Sequence, residues 1–191
     1  MKTNLTGSSA WALLLLLSLG LLSAFGPSEK AESPVTVILV RHAETAGSTR
    51  SGGDAKLSEA GIERAEVLAA LLEKSGVTHL YSSQFERTKA VLAPLAEVTG
   101  LEVRSLDAEA QAEQIALIKA LPPGSVAVIA GHSNTVPAMV IALGGQPENM
   151  QRHPQYGPML EHAEYGRLFQ LTLPVDSKST MVKLLEMHYG E

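Results

Sequence analysis

Two arginines and two histidines stand where they could together bind and attack a phosphoryl group. Arg41 and His42 directly follow an apolar run, and Arg87 and His132 come shortly after two later runs. Guanidinium groups stay charged at any working pH and match the geometry of phosphate oxygens. A histidine of ordinary pKa is largely neutral at pH 7, so it can attack as a nucleophile without a separate base. A second histidine, if protonated, would offset charge in the transition state, which explains how such a site works without a metal.

The apolar runs are the strands that must position these side chains. Periodicity predicts strands over residues 35–40, 78–82, 101–106 and 126–130, alternating with helices that start at residues 58, 86 and 108. A helix with an early Pro137 and two strands, over residues 167–173 and 181–188, complete the chain. This alternation predicts a three-layer α/β/α sandwich with a mostly parallel sheet. In such sheets ligands bind beyond the carboxyl ends of the strands, where the arginines and histidines are expected.

Four motifs around these residues resemble the histidine phosphatase superfamily, whose fold is phosphoglycerate mutase-like. Residues 39–45, Leu-Val-Arg-His-Ala-Glu-Thr, resemble its Arg-His-Gly-Glu-Thr signature, with Ala43 in place of glycine. Residues 57–61 resemble its Leu-Thr-x-x-Gly helix start. Residues 81–88 are similar to its Ser-Ser-x-x-x-Arg-Thr segment, and residues 131–135 to its second histidine motif. The resemblance covers residues 35–190, and four motifs in order are far more specific than one Arg-His pair.

The resemblance implies a reaction without a metal or other cofactor. His42 would attack phosphorus and hold a phosphohistidine that water then hydrolyses, and Arg41, Arg87 and His132 would form the rest of the phosphate pocket. One departure is Ser48, which stands where the family often has an asparagine that contacts phosphate. The Arg-His-Ala variant is similar to the small phosphohistidine-protein phosphatases and the periplasmic sugar-phosphate phosphatases of the family, rather than to glycolytic mutases.

The acid that would protonate the leaving group is the least defined part of the predicted site. Family members that have one usually place a carboxylate after the third strand, where Asp107, Glu109 and Glu113 lie. Glu109 and Glu113 are the candidates, although such carboxylates are more often a solvated helix face. A substrate whose leaving group departs easily, such as a phosphoramidate, would need no acid.

Residues 1–31 are expected to be a leader, and residues 32–191 the phosphatase domain. Residues 10–25 are almost wholly apolar. The run of about 16 residues fits the apolar part of a signal peptide and is short for a membrane span of about 20. An uncleaved membrane anchor is the alternative, because no clear cleavage site stands near Ala24 or Ala31. Either reading predicts export, to the periplasm or the extracellular space.

Composition excludes several classes of function. The 191 residues contain no cysteine, which excludes disulfides, thiolate metal sites and cysteine nucleophiles. A net charge of −5 argues against binding to nucleic acid or to an anionic lipid surface. The other histidines show no metal-ligand spacing, and they are His79, His153, His162 and His188.

Two other functions are compatible with parts of the sequence. A serine hydrolase would use Ser133, since residues 131–133 resemble a nucleophile elbow and Asp176 and His188 follow in a suitable order. Thr135, however, stands where the elbow requires glycine. A non-catalytic phosphate-binding module is the other alternative, and the presence of His42 favours catalysis over it.

Hydrolysis is favoured over mutase action by the short distance in sequence between Arg87 and His132. Only 44 residues separate them, which leaves little room for a lid that excludes water. The sequence therefore predicts an exported phosphatase with an open site, whose substrate is a phosphorylated small molecule or a phosphoprotein.

Overall fold

The computed structural model describes residues 33–47, 53–174 and 181–190. The predicted leader and anchor lie outside the described residues, as do Ser48 and Asp176, so those predictions stay predictions. In chain order the elements are β1 Val35–Arg41, α1 Glu59–Leu72, β2 His79–Ser83, α2 Glu86–Thr99, β3 Val103–Leu106, α3 Gln111–Lys119, β4 Val126–Gly131, α4 Thr135–Ala142, β5 Gln151–His153, β6 Gly157–Met159, β7 Arg167–Leu173 and β8 Lys183–His188.

The central sheet has six strands in the order β3-β2-β4-β1-β7-β8. The strands β3, β2, β4 and β1 are parallel to one another, whereas β7 pairs antiparallel with both of its neighbours, β1 and β8. The strand β1 lies between β4 and β7, and its apolar residues are buried. The predicted α/β fold with a mostly parallel sheet is confirmed.

Two apolar cores lie on opposite faces of the sheet. Along β1, Val37 and Leu39 belong to the core that contains residues of α3 and α4, while Ile38 and Val40 belong to the core that contains residues of α1 and α2. Successive side chains of a strand point to opposite faces. This alternation places two helices on each side, which is the predicted three-layer arrangement.

The start of α1 is fixed against the loop that follows β1. Ser58 caps the helix, since its Oγ accepts a hydrogen bond of 3.2 Å from the Gly61 backbone N–H. The Ser58 N–H in turn donates to the Glu44 carbonyl oxygen at 2.9 Å. A side chain at Gly61 would place its Cβ 2.2 Å from that carbonyl oxygen, so the motif requires glycine here because the two backbones meet.

Several predicted details differ from the structure. The helical spacing of apolar residues predicts that Ile62 belongs to the buried stripe of α1. Ile62 is instead 51% exposed, because the stripe runs through Gly61 and Ala65. The helix predicted from residue 108 begins at Gln111, after a turn in which the Ala110 N–H donates to the Asp107 carbonyl oxygen. The hairpin of β5 and β6 was not predicted, since its strands have three residues each and none of the alternation that marks a longer strand.

No helix within the described residues combines the length and the apolar character needed to cross a membrane.

Candidate active site

His42 follows β1 directly and is 4% exposed. Its backbone N–H continues the parallel pairing by donating to the Gly131 carbonyl oxygen at 2.9 Å. Its ring Nδ1 lies 2.8 Å from the Ala43 carbonyl oxygen. A carbonyl oxygen only accepts hydrogen bonds, so the ring proton belongs on Nδ1, and Nε2 carries the lone pair. Burial, with a smaller contribution from the charges of Arg41 and Arg87, lowers the pKa of His42 to about 4, so the ring is neutral at pH 7.

Arg41, the last residue of β1, is held by the segment that precedes β7. Its Nη1 donates to three carbonyl oxygens at 2.9–3.1 Å, those of Glu161, His162 and Glu164. The guanidinium also lies over the Tyr165 ring, 4.2 Å from its centroid. Burial lowers the pKa of this arginine, which still leaves it charged. The fixed side chain is a pre-oriented cation beside His42.

Arg87 reaches the same place from the first turn of α2. Its Nη1 donates to the Gly53 carbonyl oxygen at 3.2 Å and lies 3.6 Å from Oδ1 of Asp54. The carboxylate of Asp54 also accepts the backbone N–H of Glu86 at 2.9 Å, which stabilises the start of α2. The guanidinium lies over the Phe85 ring, 4.3 Å from its centroid. Burial lowers the pKa of Arg87.

His132 follows β4, the parallel neighbour of β1, and its ring centroid lies 5.5 Å from that of His42. Its Nε2 lies 2.9 Å from Oγ of Ser83, and its Nδ1 lies 3.5 Å from Nη2 of Arg87. Burial, and then the charge of Arg87, lower the pKa of His132 to about 3. The free site therefore holds this histidine neutral, and the protonated form considered from the sequence requires a bound anion.

The four residues predicted as the site are thus brought together by the ends of β1 and β4 and the start of α2. Sequence reasoning missed three side chains that surround them, Asp54, Phe85 and Tyr165. Phe85 lies inside the 81–88 motif and could have been found from its place beside Arg87. Asp54 and Tyr165 carry no local signal, because they reach the site from loops.

Glu44, two residues after His42, has a structural role: it holds its loop through an ion pair with Arg64 of α1. The nearest carboxylate and guanidinium atoms are 2.7 Å apart. This hydrogen bonding lowers the pKa of Glu44. The contact links the loop after His42 to a helix of the scaffold.

The two candidate acids do not join the four site residues. Glu109 and Glu113 are exposed, and no hydrogen bond or ion pair within the described residues connects either one to His42 or His132. Glu113 lines a separate cavity of about 180 Å³ together with Arg104 and Leu117. Both follow β3, which is the edge strand, and β2 and β4 separate it from β1.

Within the described residues, which leave out Asp176, the histidines are not arranged as the serine-hydrolase alternative requires. His188 lies on β8, and β1 and β7 separate that strand from β4. The nearest histidine along the chain, His132, has its Nε2 beside Ser83 rather than Ser133. Among the residues that the structure describes, no group of three or more histidines and carboxylates could hold a metal ion.

A second cavity, of about 730 Å³, lies between the loop after α4 and the β7–β8 pair. Gly144 and Gly145 contribute to its lining. The guanidinium of Arg167 in this cavity is bonded to Glu164 and Glu186. Arg167 is therefore paired with two carboxylates, whereas the hydrogen bonds of Arg41 go to backbone carbonyl oxygens and Arg87 faces the single carboxylate of Asp54.

The mostly parallel sheet, with the arginine and histidine pairs at one edge, has the phosphoglycerate mutase-like fold. The sequence model of the histidine phosphatase superfamily (branch 1) matches residues 37–109, which include Arg41, His42 and Arg87. The superfamily resemblance seen in the motifs is thereby confirmed.

One curated relative is the probable phosphoglycerate mutase GpmB of Yersinia pestis, 36% identical over 69 residues. That match covers 34% of this chain and 32% of the relative, so the aligned part spans about a third of the curated protein's length.

Solved structures share the fold over most of their length. A protein of Agrobacterium tumefaciens assigned as phosphohistidine phosphatase SixA is 22% identical with a TM-score of 0.58, over 81% of this chain and 97% of the other. A mycobacterial glucosyl-3-phosphoglycerate phosphatase solved with VO3 is 18% identical with a TM-score of 0.55, over 81% of this chain and 98% of the other. At these identities the likeness establishes the fold.

Proposed function

We propose that this chain is a phosphatase that transfers a phosphoryl group to His42 and then to water. The observation that carries the proposal is the hydrogen bond from Nδ1 of His42 to the Ala43 carbonyl oxygen, which leaves the Nε2 lone pair as nucleophile. Two fixed guanidiniums, of Arg41 and Arg87, flank this buried neutral ring. Such pre-oriented donors stabilise the charge of a transferring phosphoryl group without reorganisation.

Further support for a phosphate-binding site comes from two buried hydrogen-bond donors of the arginines that lack acceptors. The Nε atoms of Arg41 and Arg87 are buried without a hydrogen-bond partner in the described part of the chain. A buried donor left unpaired is costly, and the oxygens of a bound phosphoryl group would supply acceptors to both guanidiniums. Arg167, by contrast, has its guanidinium saturated by carboxylates and a carbonyl oxygen.

The reaction proceeds in two displacements. In the first, His42 Nε2 forms a bond to phosphorus while the bond to the leaving group breaks, and the leaving group departs with its electron pair. In the second, water attacks phosphorus, the P–N bond breaks, and inorganic phosphate is released with His42 regenerated. Neutral His132 would acquire a proton as the anion binds, which offsets the charge of the phosphoryl oxygens.

The substrate class follows from the carboxylates around the site. Asp54 lies beside Arg87, but its oxygens already accept the Glu86 N–H and face that guanidinium. We therefore propose substrates whose leaving group departs without a positioned carboxylic acid, namely phosphoramidates such as phosphohistidine in a protein, or small molecules with a stabilised leaving group. The domain is proposed to act outside the cytoplasm, on the strength of the apolar run at residues 10–25.

The test is to incubate the purified full chain with an aryl phosphate, quench it, and map phosphorylation by mass spectrometry. The expected result is released phosphate together with an acid-labile, base-stable phosphoryl group on His42. The His42→Ala variant should lose both signals, and His153→Ala, which changes an exposed histidine of the β5–β6 hairpin, should keep both. Full turnover by His42→Ala would refute the mechanism.

The same samples distinguish a phosphatase from a non-catalytic phosphate-binding module. Such a module would bind inorganic phosphate or vanadate but show neither turnover nor phosphohistidine with aryl phosphates, phosphoramidates or phosphohistidine peptides. Inhibition by vanadate and not by a serine-directed fluorophosphonate would further distinguish a phosphatase from a hydrolase that uses Ser133.

A further inference from the structure

The two ring nitrogens of His132 have different neighbours, and this difference determines where the ring proton lies. Nδ1 is 3.5 Å from Nη2 of Arg87, and Nε2 is 2.9 Å from Oγ of Ser83. A guanidinium has hydrogen-bond donors and no acceptor. Nδ1 therefore faces Arg87 as an acceptor with its lone pair, and the proton of the neutral ring belongs on Nε2.

The hydroxyls beyond Nε2 point to the same tautomer. Thr88 Oγ1 lies 2.7 Å from the Phe85 carbonyl oxygen and 3.2 Å from the Ser83 carbonyl oxygen. Both carbonyl oxygens only accept, so the single Thr88 proton is directed to one of them. Thr88 Oγ1 then accepts from Ser83, whose Oγ is 2.7 Å away. Ser83 has thus donated its own proton and can only accept from Nε2–H of His132.

We infer that Ser83 and Thr88 are positioning residues, whose hydroxyls hold neutral His132 as the Nε2–H tautomer with the Nδ1 lone pair beside Arg87. The catalytic consequence rests on the proposed function. Arg87 would bind the phosphoryl oxygens, so Nδ1 lies where a phosphoryl monoanion would present its P–O–H group. Transfer of that proton to Nδ1 converts the monoanion into the dianion and the imidazole into an imidazolium, with charge and protons conserved.

The geometry makes the two histidines of the site opposite tautomers. His42 carries its proton on Nδ1, bonded to the Ala43 carbonyl oxygen, whereas His132 carries its proton on Nε2. The first arrangement leaves Nε2 of His42 free to attack phosphorus. The second leaves Nδ1 of His132 free to take up a proton from the bound phosphoryl group and then to donate it back as a hydrogen bond.

The direct test is nuclear magnetic resonance of the full chain labelled with ¹⁵N in histidine, at pH 7 and without substrate. Long-range ¹H–¹⁵N correlations distinguish the protonated from the unprotonated ring nitrogen, and the variants His42→Gln and His132→Gln assign the two sets of signals. We expect Nε2 of His132 and Nδ1 of His42 to be protonated. A His132 ring protonated on Nδ1, or averaged between the two tautomers, would overturn the inference without the need for any further variant.

Variants of Ser83 and Thr88 test whether their hydroxyls fix the tautomer of His132. Ser83→Ala and Thr88→Val should convert the His132 signals to a mixture of tautomers, and Thr88→Ser, which keeps the hydroxyl, should preserve the wild-type pattern. Ser82→Ala is the matched control, because Ser82 is a buried serine on the same strand whose Oγ donates only to the Ser83 carbonyl oxygen. An unchanged His132 tautomer in both Ser83→Ala and Thr88→Val would contradict the role assigned to the hydroxyls.

Turnover of the aryl phosphate supplies a second readout. We expect kcat of Ser83→Ala to fall about 10- to 100-fold with little change in KM, the size of effect seen when a partner that orients a functional histidine is lost. A change confined to KM would contradict the inference. The tautomer and the proposed reaction are tested by different measurements. Spectra of the free protein report the tautomer of His132 whether or not the chain is active. Phosphorylation of His42 reports the reaction whichever tautomer His132 adopts.

Discussion

The guanidinium of Arg64 connects Glu44, two residues beyond His42, to the backbone carbonyl oxygens of Tyr189 and Gly190. Its Nη2 donates to Glu44 at 2.7 Å, and its Nη1 donates to the two carbonyl oxygens at 2.8 and 2.9 Å. One side chain of α1 therefore holds both the loop after the nucleophile and the segment after β8. The loop after His42 is therefore fixed by a side chain of α1.

Glu44→Gln is expected to destabilise the domain and to lower activity. The pair is largely shielded from solvent, with side-chain exposures of 16% for Arg64 and 25% for Glu44. Loss of a charge-assisted hydrogen bond in such a place costs about 1.5–3 kcal/mol. The free energy of unfolding in urea and kcat should both decrease, whereas Glu66→Gln, an exposed change on the same helix, should alter neither. Equal stability of Glu44→Gln and wild type would contradict a structural role for the pair.

Arg87→Gln is expected to lower kcat/KM for an aryl phosphate by about 100- to 1,000-fold, the usual effect of removing one donor from a developing oxyanion. The glutamine keeps an N–H but loses the charge and the forked geometry of the guanidinium. Arg104→Gln, which changes an exposed arginine of β3, provides the control. An Arg87→Gln enzyme within a few-fold of wild type would remove Arg87 from the phosphate pocket.

Asp54 has two roles that two substitutions should separate. Its carboxylate accepts the Glu86 N–H at the start of α2 and lies beside Arg87. Asp54→Asn keeps an oxygen acceptor for the helix and removes the charge, so we expect lower activity with nearly normal stability. Asp54→Ala removes both, and should also lower the melting temperature, as the loss of a helix cap does. Identical losses of stability in the two variants would show that the helix contact depends on charge.

Stability should fall as the pH falls from about 6.5 towards 4. In the unfolded chain a histidine takes up a proton near its ordinary pKa of about 6.5. In the folded chain the pKa is about 4 for His42 and about 3 for His132. Between these values the unfolded state binds more protons, so the stability present above pH 6.5 is progressively lost on acidification. A pKa difference of one is worth about 1.4 kcal/mol, so the two histidines together account for several kcal/mol.

Urea unfolding at pH 7 and pH 4.5 measures this dependence. The double variant His42→Gln, His132→Gln should show a much smaller decrease than wild type, and His153→Gln should behave as wild type does. Saturating inorganic phosphate should also reduce the decrease, because a bound anion raises the pKa of His132. A wild-type stability that is the same at both pH values would contradict the buried, neutral state of the two rings.

Gly61→Ala tests the close approach of α1 to the loop after β1. The added Cβ would lie 2.2 Å from the Glu44 carbonyl oxygen and 3.1 Å from its carbon, so the backbone must move. We expect a loss of stability in the range of about 1–3 kcal/mol typical of overpacking, with a decrease in kcat. Glu63→Ala, an exposed change on the same helix, is the control. A fully stable and active Gly61→Ala protein would show that this contact tolerates displacement.

The residues that the sequence could place in the site are those that follow buried strands. The ends of β1 and β4 must lie side by side because the two strands are parallel neighbours, which brings His42 to His132. Arg87 was predictable since its motif joins β2 to α2. The local sequence pattern is therefore sufficient to predict a site residue wherever that residue lies on, or directly after, a regular strand or helix.

The other features of the site depend on tertiary contacts between distant parts of the chain. The hydrogen bond from Arg41 to the Glu161 carbonyl oxygen joins residues 120 apart in sequence, and the loop that supplies it has no periodicity to interpret. Asp54 is similar, since its partner Glu86 lies 32 residues away. The lowered pKa values of the histidines were also beyond the sequence, because they arise from burial that exists only once the layers have packed.

The pairing of β1 with β7 has a consequence for the order in which the protein can mature during synthesis. Val40 pairs with Leu168, and Arg41 obtains its three carbonyl acceptors from the segment just before β7. A chain is synthesised from its N-terminus, and domains generally fold as units. The strand β1 therefore leaves the ribosome before β7, with which it pairs. The carbonyl oxygens that hold Arg41 are made about 120 residues after it, so the pocket beside His42 can be completed only once the segment before β7 has been synthesised.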